Sequence, residues 1–109
     1  MKININNQEI HAKIRKSMFS KANGLMLKTK VKRAEVFWFN KPRNHSLHSL
    51  LVFTKFDVIG LDKNNKIIEI KKNFKPFTFF KFKKSVYHVI ELPPNKFDLK
   101  IGQEVKFLK

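Results

Sequence analysis

A chain of 109 residues with 42% hydrophobic content is sized for one domain, spanning 1–109, with a single core of its own. The absence of cysteine excludes a disulfide framework, a thiolate metal site and a thiol nucleophile, and fits a reducing compartment. The formal charge of +16 suits a polyanionic partner, because lysines gain affinity by releasing counterions from phosphates. Lys, Asn, Ile and Phe nevertheless make up 53 of the 109 residues, all types with A- and T-rich codons, so compositional drift competes as the source of that charge.

The opening residues, "MKININNQEIHAKIRKS", lack the apolar core of a signal peptide. The longest uncharged stretch, Asn44 to Thr54, has 11 residues, short of the roughly 18 needed to span a bilayer. A cytoplasmic protein without a membrane partner is the expectation. "KININ" and "EIHAKIRK" alternate apolar and polar residues and read as a hairpin joined at Asn6-Asn7. "SMFSKANGLML" follows, with Ser17 as a helix N-cap and Gly24 as a stop, and predicts one short helical turn. "AEVFWF", Ala34 to Phe39, is a strand, expected to end at the turn residues Asn40 to Asn44.

The clearest hairpin is "FDVIGLDKNNKIIEIKKN", in which Asp62 to Lys66 supply the turn between two β-branched runs. "PFTFFKFKK" (Pro76 to Lys84), "VYHVIEL" (Val86 to Leu92) and "EVKFL" (Glu104 to Leu108) are the remaining strands, with Pro93-Pro94 and Gly102 at turns. About seven or eight short strands and one helical turn predict an all-β domain, a β-sandwich or a distorted barrel.

Four motifs recur in a fixed order: "GLM" at Gly24 to Met26, "HSLLVFTKFDVIGLD" at His48 to Asp62, "VIELPPNK" at Val89 to Lys96 and "IGQEV" at Ile101 to Val105. In this order and spacing the chain resembles the family known as Domain of Unknown Function 192, in its archaeal form, over roughly residues 10 to 108. The resemblance implies a small β-sandwich-like domain and no particular activity. It also singles out Asp57 and Glu91 as recurring acids. The chain departs from the family pattern at Lys28, where an arginine is common, at Lys55, where a proline is common, and at Gln103, where an aspartate is common. Leu51 and Val52 stand where bacterial relatives carry polar residues, so a site built on those positions does not carry over.

Asp57 sits within an apolar strand and must be hydrogen-bonded, paired with a lysine or placed at a strand end. One reading makes Asp57 and Glu91 turn caps or lysine partners; the other groups His48, Asp57 and Glu91 in a small-molecule pocket or weakly enzymatic site. His45, His48 and His88 match no zinc spacing, and Ser46 and Ser49 lack a nucleophile elbow. The three glycines do not cluster into a phosphate loop, and no metal, cofactor or catalytic residue is predicted.

On an extended "KPFTFFKFKK", Phe77 and Phe79 face one way while Phe80 and Phe82 face the other, flanked by Lys81, Lys83 and Lys84. A solvent-facing second pair makes a base-stacking platform for single-stranded nucleic acid, with Arg43 as a phosphate contact. A covered second pair makes it core, or a protein interface. The leading expectation is a non-enzymatic module with a basic surface that binds nucleic acid or another polyanion, as a monomer or weak homodimer. The alternatives are the His48, Asp57 and Glu91 pocket and a structural or protein-interaction domain.

Overall fold

A computed structural model describes residues 1–15, 33–43, 46–48, 55–74 and 79–108, and these form nine strands. β1 (Lys2–Ile5) and β2 (Gln8–Arg15) make the first hairpin. Its turn residues Asn6 and Asn7 have φ of 52° and 65°. Asparagine tolerates that left-handed backbone, and two such residues give a turn whose twist matches the strands. Asn4 Oδ1 accepts the Asn7 N–H at 3.2 Å and fixes the corner.

β3 (Ala34–Arg43), β4 (Ser46–His48), β5 (Phe56–Leu61), β6 (Ile67–Phe74), β7 (Phe79–Lys81), β8 (Val86–Leu92) and β9 (Val105–Leu108) follow. Seven of the strands form one sheet in the order β6-β5-β8-β3-β2-β1-β9, and β4 pairs with β7 in a separate ribbon. Every pairing is antiparallel except β2 with β3. The sheet curls until its two edges meet at an antiparallel bridge between Lys66 and Glu104. Ile67 N–H donates to Gln103 O, Gly102 N–H to Ile67 O and Val105 N–H to Asn65 O at 2.8–2.9 Å, which makes a half-barrel closed at one end. The all-β, distorted-barrel expectation holds.

The β5–β6 turn owes its shape to Asp62, whose Oδ1 accepts the N–H groups of Asn64 (2.8 Å) and Lys66 (3.0 Å). Asn65 takes the left-handed conformation there, with φ of 62°. This is the chemistry the hairpin motif predicts.

Side-chain alternation splits the core into two. One face of the sheet carries Val36, Ile59, Ile90 and Leu92, packed on Ile3, Ile5, Phe97 and Val105. The opposite face carries Phe37, Phe56, Val58 and Val89, packed on Phe82 and Val86. Burial of each such side chain contributes ~1.5–3 kcal/mol. β8 has neighbours on both sides and apolar layers on both faces, so every side chain on it but Tyr87 is buried, His88 and Glu91 included.

Three expectations are corrected. β3 does not stop before Asn40 but continues through Pro42 to Arg43, with its register to β8 shifting between Trp38 and Arg43. Such an irregularity is where a sheet accommodates proline. The strand expected over Pro76 to Lys84 is only Phe79–Lys81 among the described residues, paired with β4. Phe82, expected outside the sheet beside Phe80, is 1% exposed and belongs to the second core. The helical turn predicted in Ser17 to Leu27 lies outside the described residues.

Phe82 needs room that Gly60 provides. A Cβ on Gly60 would sit 2.6 Å from Val86 Cγ1 and 3.0 Å from Phe82 Cε1. Gly60→Ala is therefore expected to destabilise the fold by about 1–3 kcal/mol through overpacking, read as a lower urea midpoint with an unchanged slope.

Candidate functional site

The predicted site residues fall into separate places. Cross-strand register pairs Asp57 with Leu92 and Val58 with Glu91, so Asp57 and Glu91 project from opposite faces of the sheet. They do not line one pocket. His48 is on β4 opposite Phe79, and Arg43 ends β3 opposite Val86. Phe80 and Lys81 lie on β7, opposite Leu47 and Ser46. Ser49 and His45 lie outside the described residues.

Asp57, 1% exposed, is a structural knot. Its Oδ1 accepts the Asn73 N–H at 2.8 Å and its Oδ2 the Asn95 N–H at 3.0 Å. Asn73 sits where β6 carries an extra residue against β5, and Asn95 follows Pro93-Pro94; both are left-handed, with φ of 54° and 58°. Asn95 Nδ2 also donates to Asn73 Oδ1 at 3.3 Å. One carboxylate thus ties a bulge to a turn, which is the turn-capping reading of this acid.

Glu91 lies on the other face directly opposite Glu35 of β3, and both side chains are fully buried. Like charges at opposed positions destabilise a sheet unless a cation offsets them, and Arg33 Nε stands 3.5 Å from Glu35 Oε1. Sequence reasoning missed Glu35, although its alternation with Phe37 in "AEVFWF" places it on a core face. Among the described residues, no group of three or more His, Cys, Asp or Glu is arranged to hold a metal ion.

His88 is buried on β8 opposite Trp38, with the two rings stacked at 3.8 Å between centroids and 23° between planes. Phe107 meets Trp38 edge-on at 5.5 Å. Burial pulls the His88 imidazole below its usual 6.5, because the charged form loses hydration.

Exposed basic residues are spread over the described surface, and two of them, Lys83 and Lys84, share one turn. Lys83 and Lys84 are exposed, and their backbone N–H groups donate to Glu69 Oε2 and Oε1, both at 2.9 Å. Glu69 comes from β6, where it shares a sheet face with exposed Lys71 two residues on. Lys72 follows, also exposed. Glu69 was not singled out from the sequence, because "IIEIKK" gives no sign that it meets a turn 14 residues away.

Asp57→Asn preserves shape but replaces one acceptor oxygen with a donor facing a part-buried N–H. It is expected to cost about 1–3 kcal/mol of stability, measured by urea unfolding, with the native spectrum retained. His88 has a folded-state pKa below its unfolded value, so the unfolded state binds more protons as pH drops through 6.5. Stability is expected to fall across that window and to recover above it. His88→Gln should flatten this part of the profile, followed through the fluorescence of Trp38, the single tryptophan.

Comparison with known proteins agrees with this architecture. A UPF0127 protein from the archaeon Thermococcus sibiricus is 31% identical over 98 residues, covering 85% of this chain and 63% of that protein, so the match spans less than two thirds of the relative's length. A protein of unknown function from Novosphingobium aromaticivorans superposes with a TM-score of 0.87 at 16% identity, over 97% of this chain and 84% of that one. A candidate transcription regulator from Sinorhizobium meliloti gives 0.86 at 14% identity, over 96% and 91%. At these identities the two structures share the fold alone. The family model described as uncharacterized ACR matches residues 1–107, and the chain therefore belongs to the DUF192 family.

Proposed function

We propose that this protein is a non-enzymatic binding module that grips the phosphates of a nucleic acid, or of a similar polyanion, through the lysines around the 83–84 turn. The observation that carries this reading is the fixed placement of that turn. Glu69 ties the Lys83 and Lys84 backbone to β6, the strand that also carries exposed Lys71, so the two exposed lysines stand on a hydrogen-bonded turn. A preorganised group of ammoniums loses less entropy on meeting phosphates than the same lysines on a free chain. The net charge of +16 adds long-range attraction.

The mode of binding differs from the platform expected from sequence. With Phe82 in the core, the aromatic pair needed to stack successive bases is broken, and contact is made to the backbone of the ligand. Lysine-to-phosphate contacts carry no base code, so the module discriminates little between sequences. The likeness in fold to a candidate transcription regulator is compatible with such a role. No observation favours the alternative pocket around His48, Asp57 and Glu91, whose two acids face apart.

The test is fluorescence anisotropy of labelled single-stranded RNA and duplex DNA at roughly 50 and 200 mM salt. Binding is expected to weaken steeply between the two salts. In Lys83→Ala/Lys84→Ala the slope of log affinity against log salt should shrink by about two, equally for unrelated sequences. Phe80→Ala measures any stacking left on β7 and is expected to leave affinity for RNA unchanged. Affinity no greater than that of a lysine-rich peptide of scrambled sequence overturns the reading.

A further inference from the structure

We propose that the 83–84 turn is a built oxyanion site for a phosphate group, and that Glu69 occupies it as an internal stand-in that an incoming phosphate displaces. This rests on the polyanion reading above and gives it a defined anchor point. Two successive backbone N–H groups converge on one carboxylate, each taking a different oxygen at 2.9 Å. Consecutive N–H groups pointing into one concavity are a recurring way for backbone to hold anions, phosphate among them. A phosphate presents two oxygens to such a pair as a carboxylate does, with further oxygens left for ammonium groups.

The carboxylate in place is not part of the turn. It arrives from β6, 14 and 15 residues away in sequence, and both hydrogen bonds lie at the protein surface. A solvent anion can therefore reach the donors without opening the core. Three exposed lysines belong to the same two elements: Lys83 and Lys84 carry the donor N–H groups, and Lys71 is on the same face of β6 as Glu69. A single carboxylate offsets only part of that charge, and a phosphate carrying up to two negative charges offsets more. Glu69 swings out on rotation of its own side chain, since its backbone stays paired opposite Gly60. The proposal thus assigns Glu69 the role of a competitor: it holds the turn in shape without ligand and sets a threshold for weak anions.

The experiment is NMR titration of the labelled protein with pyrophosphate and with inorganic phosphate at about 50 mM salt, where surface electrostatics are not yet fully screened. In the unaltered protein, pyrophosphate is expected to shift the Lys83 and Lys84 amide resonances together with the Glu69 side-chain carboxyl carbon, as that carboxylate leaves its donors. Glu69→Gln removes the competing charge and keeps one acceptor for the turn, so it should bind pyrophosphate roughly tenfold more tightly, with the same two amides shifting. The reading of Glu69 as a mere brace predicts the reverse, weaker binding in Glu69→Gln, and that result overturns the proposal. Still amides at positions 83 and 84 in the unaltered protein at saturating pyrophosphate overturn it equally, whether or not the variant folds. If RNA and DNA bind while those amides stay still, the anchor fails and the polyanion module stands; if neither nucleic acid nor pyrophosphate binds, both fail.

Discussion

The register of β8 between β5 and β3 is the constraint on which the rest depends. Ile90 is placed opposite Ile59 on one side and Val36 on the other, which aligns a row of β-branched residues across the first core. The next row, one residue along, holds Val58, Glu91 and Glu35 on the opposite face. A slip of one residue exchanges these rows and drives Glu91 into the Ile59 layer, at the price of an unmatched charge in hydrocarbon. Glu35 and Glu91 thus mark the register at which β3 and β8 meet, since each faces the other across the two strands.

The same alternation separates the functions of the acids. Asp57, odd-numbered on β5 beside Ile59, goes to the inner face and is consumed by two turn amides. Glu69, on the edge strand β6, reaches the second face near its rim, where the 83–84 turn crosses. Burial decides the outcome in each case. A fully enclosed carboxylate that satisfies two backbone donors is architecture; a half-exposed one that satisfies two surface donors stays within reach of solvent.

Much of this was legible in the sequence, for local reasons. Asn6-Asn7 and Asp62 to Lys66 announce their turns because left-handed backbone and side-chain acceptors are properties of single residues. The extent of β8 follows from a stretch rich in β-branched and aromatic residues bounded by Ser85 and Pro93. Asp57 could be recognised as a buried acid that needs donors, but not its donors, since Asn73 and Asn95 are 16 and 38 residues away. Pro42 misled, because a proline that ends an ideal strand is accommodated by a register shift that no local signal announces. Phe82 misled for a related reason. Strict alternation along "FTFFKFKK" assumes one continuous strand, whereas β7 stops at Lys81 and frees Phe82 to turn inward over Gly60.

The position of β8 has a consequence for how the chain is made. β3 and β5 both hydrogen-bond to β8, yet β8 is the second-last strand in order of synthesis. β3 also pairs with β2 and β5 with β6, but until residues 86–92 emerge from the ribosome each keeps one edge open, the condition under which nascent β proteins associate with one another. Lysines spread from Lys2 to Lys106 give every length of the growing chain a positive charge. Like charge on unfinished copies opposes their association, a consequence of the basic composition that requires no ligand at all.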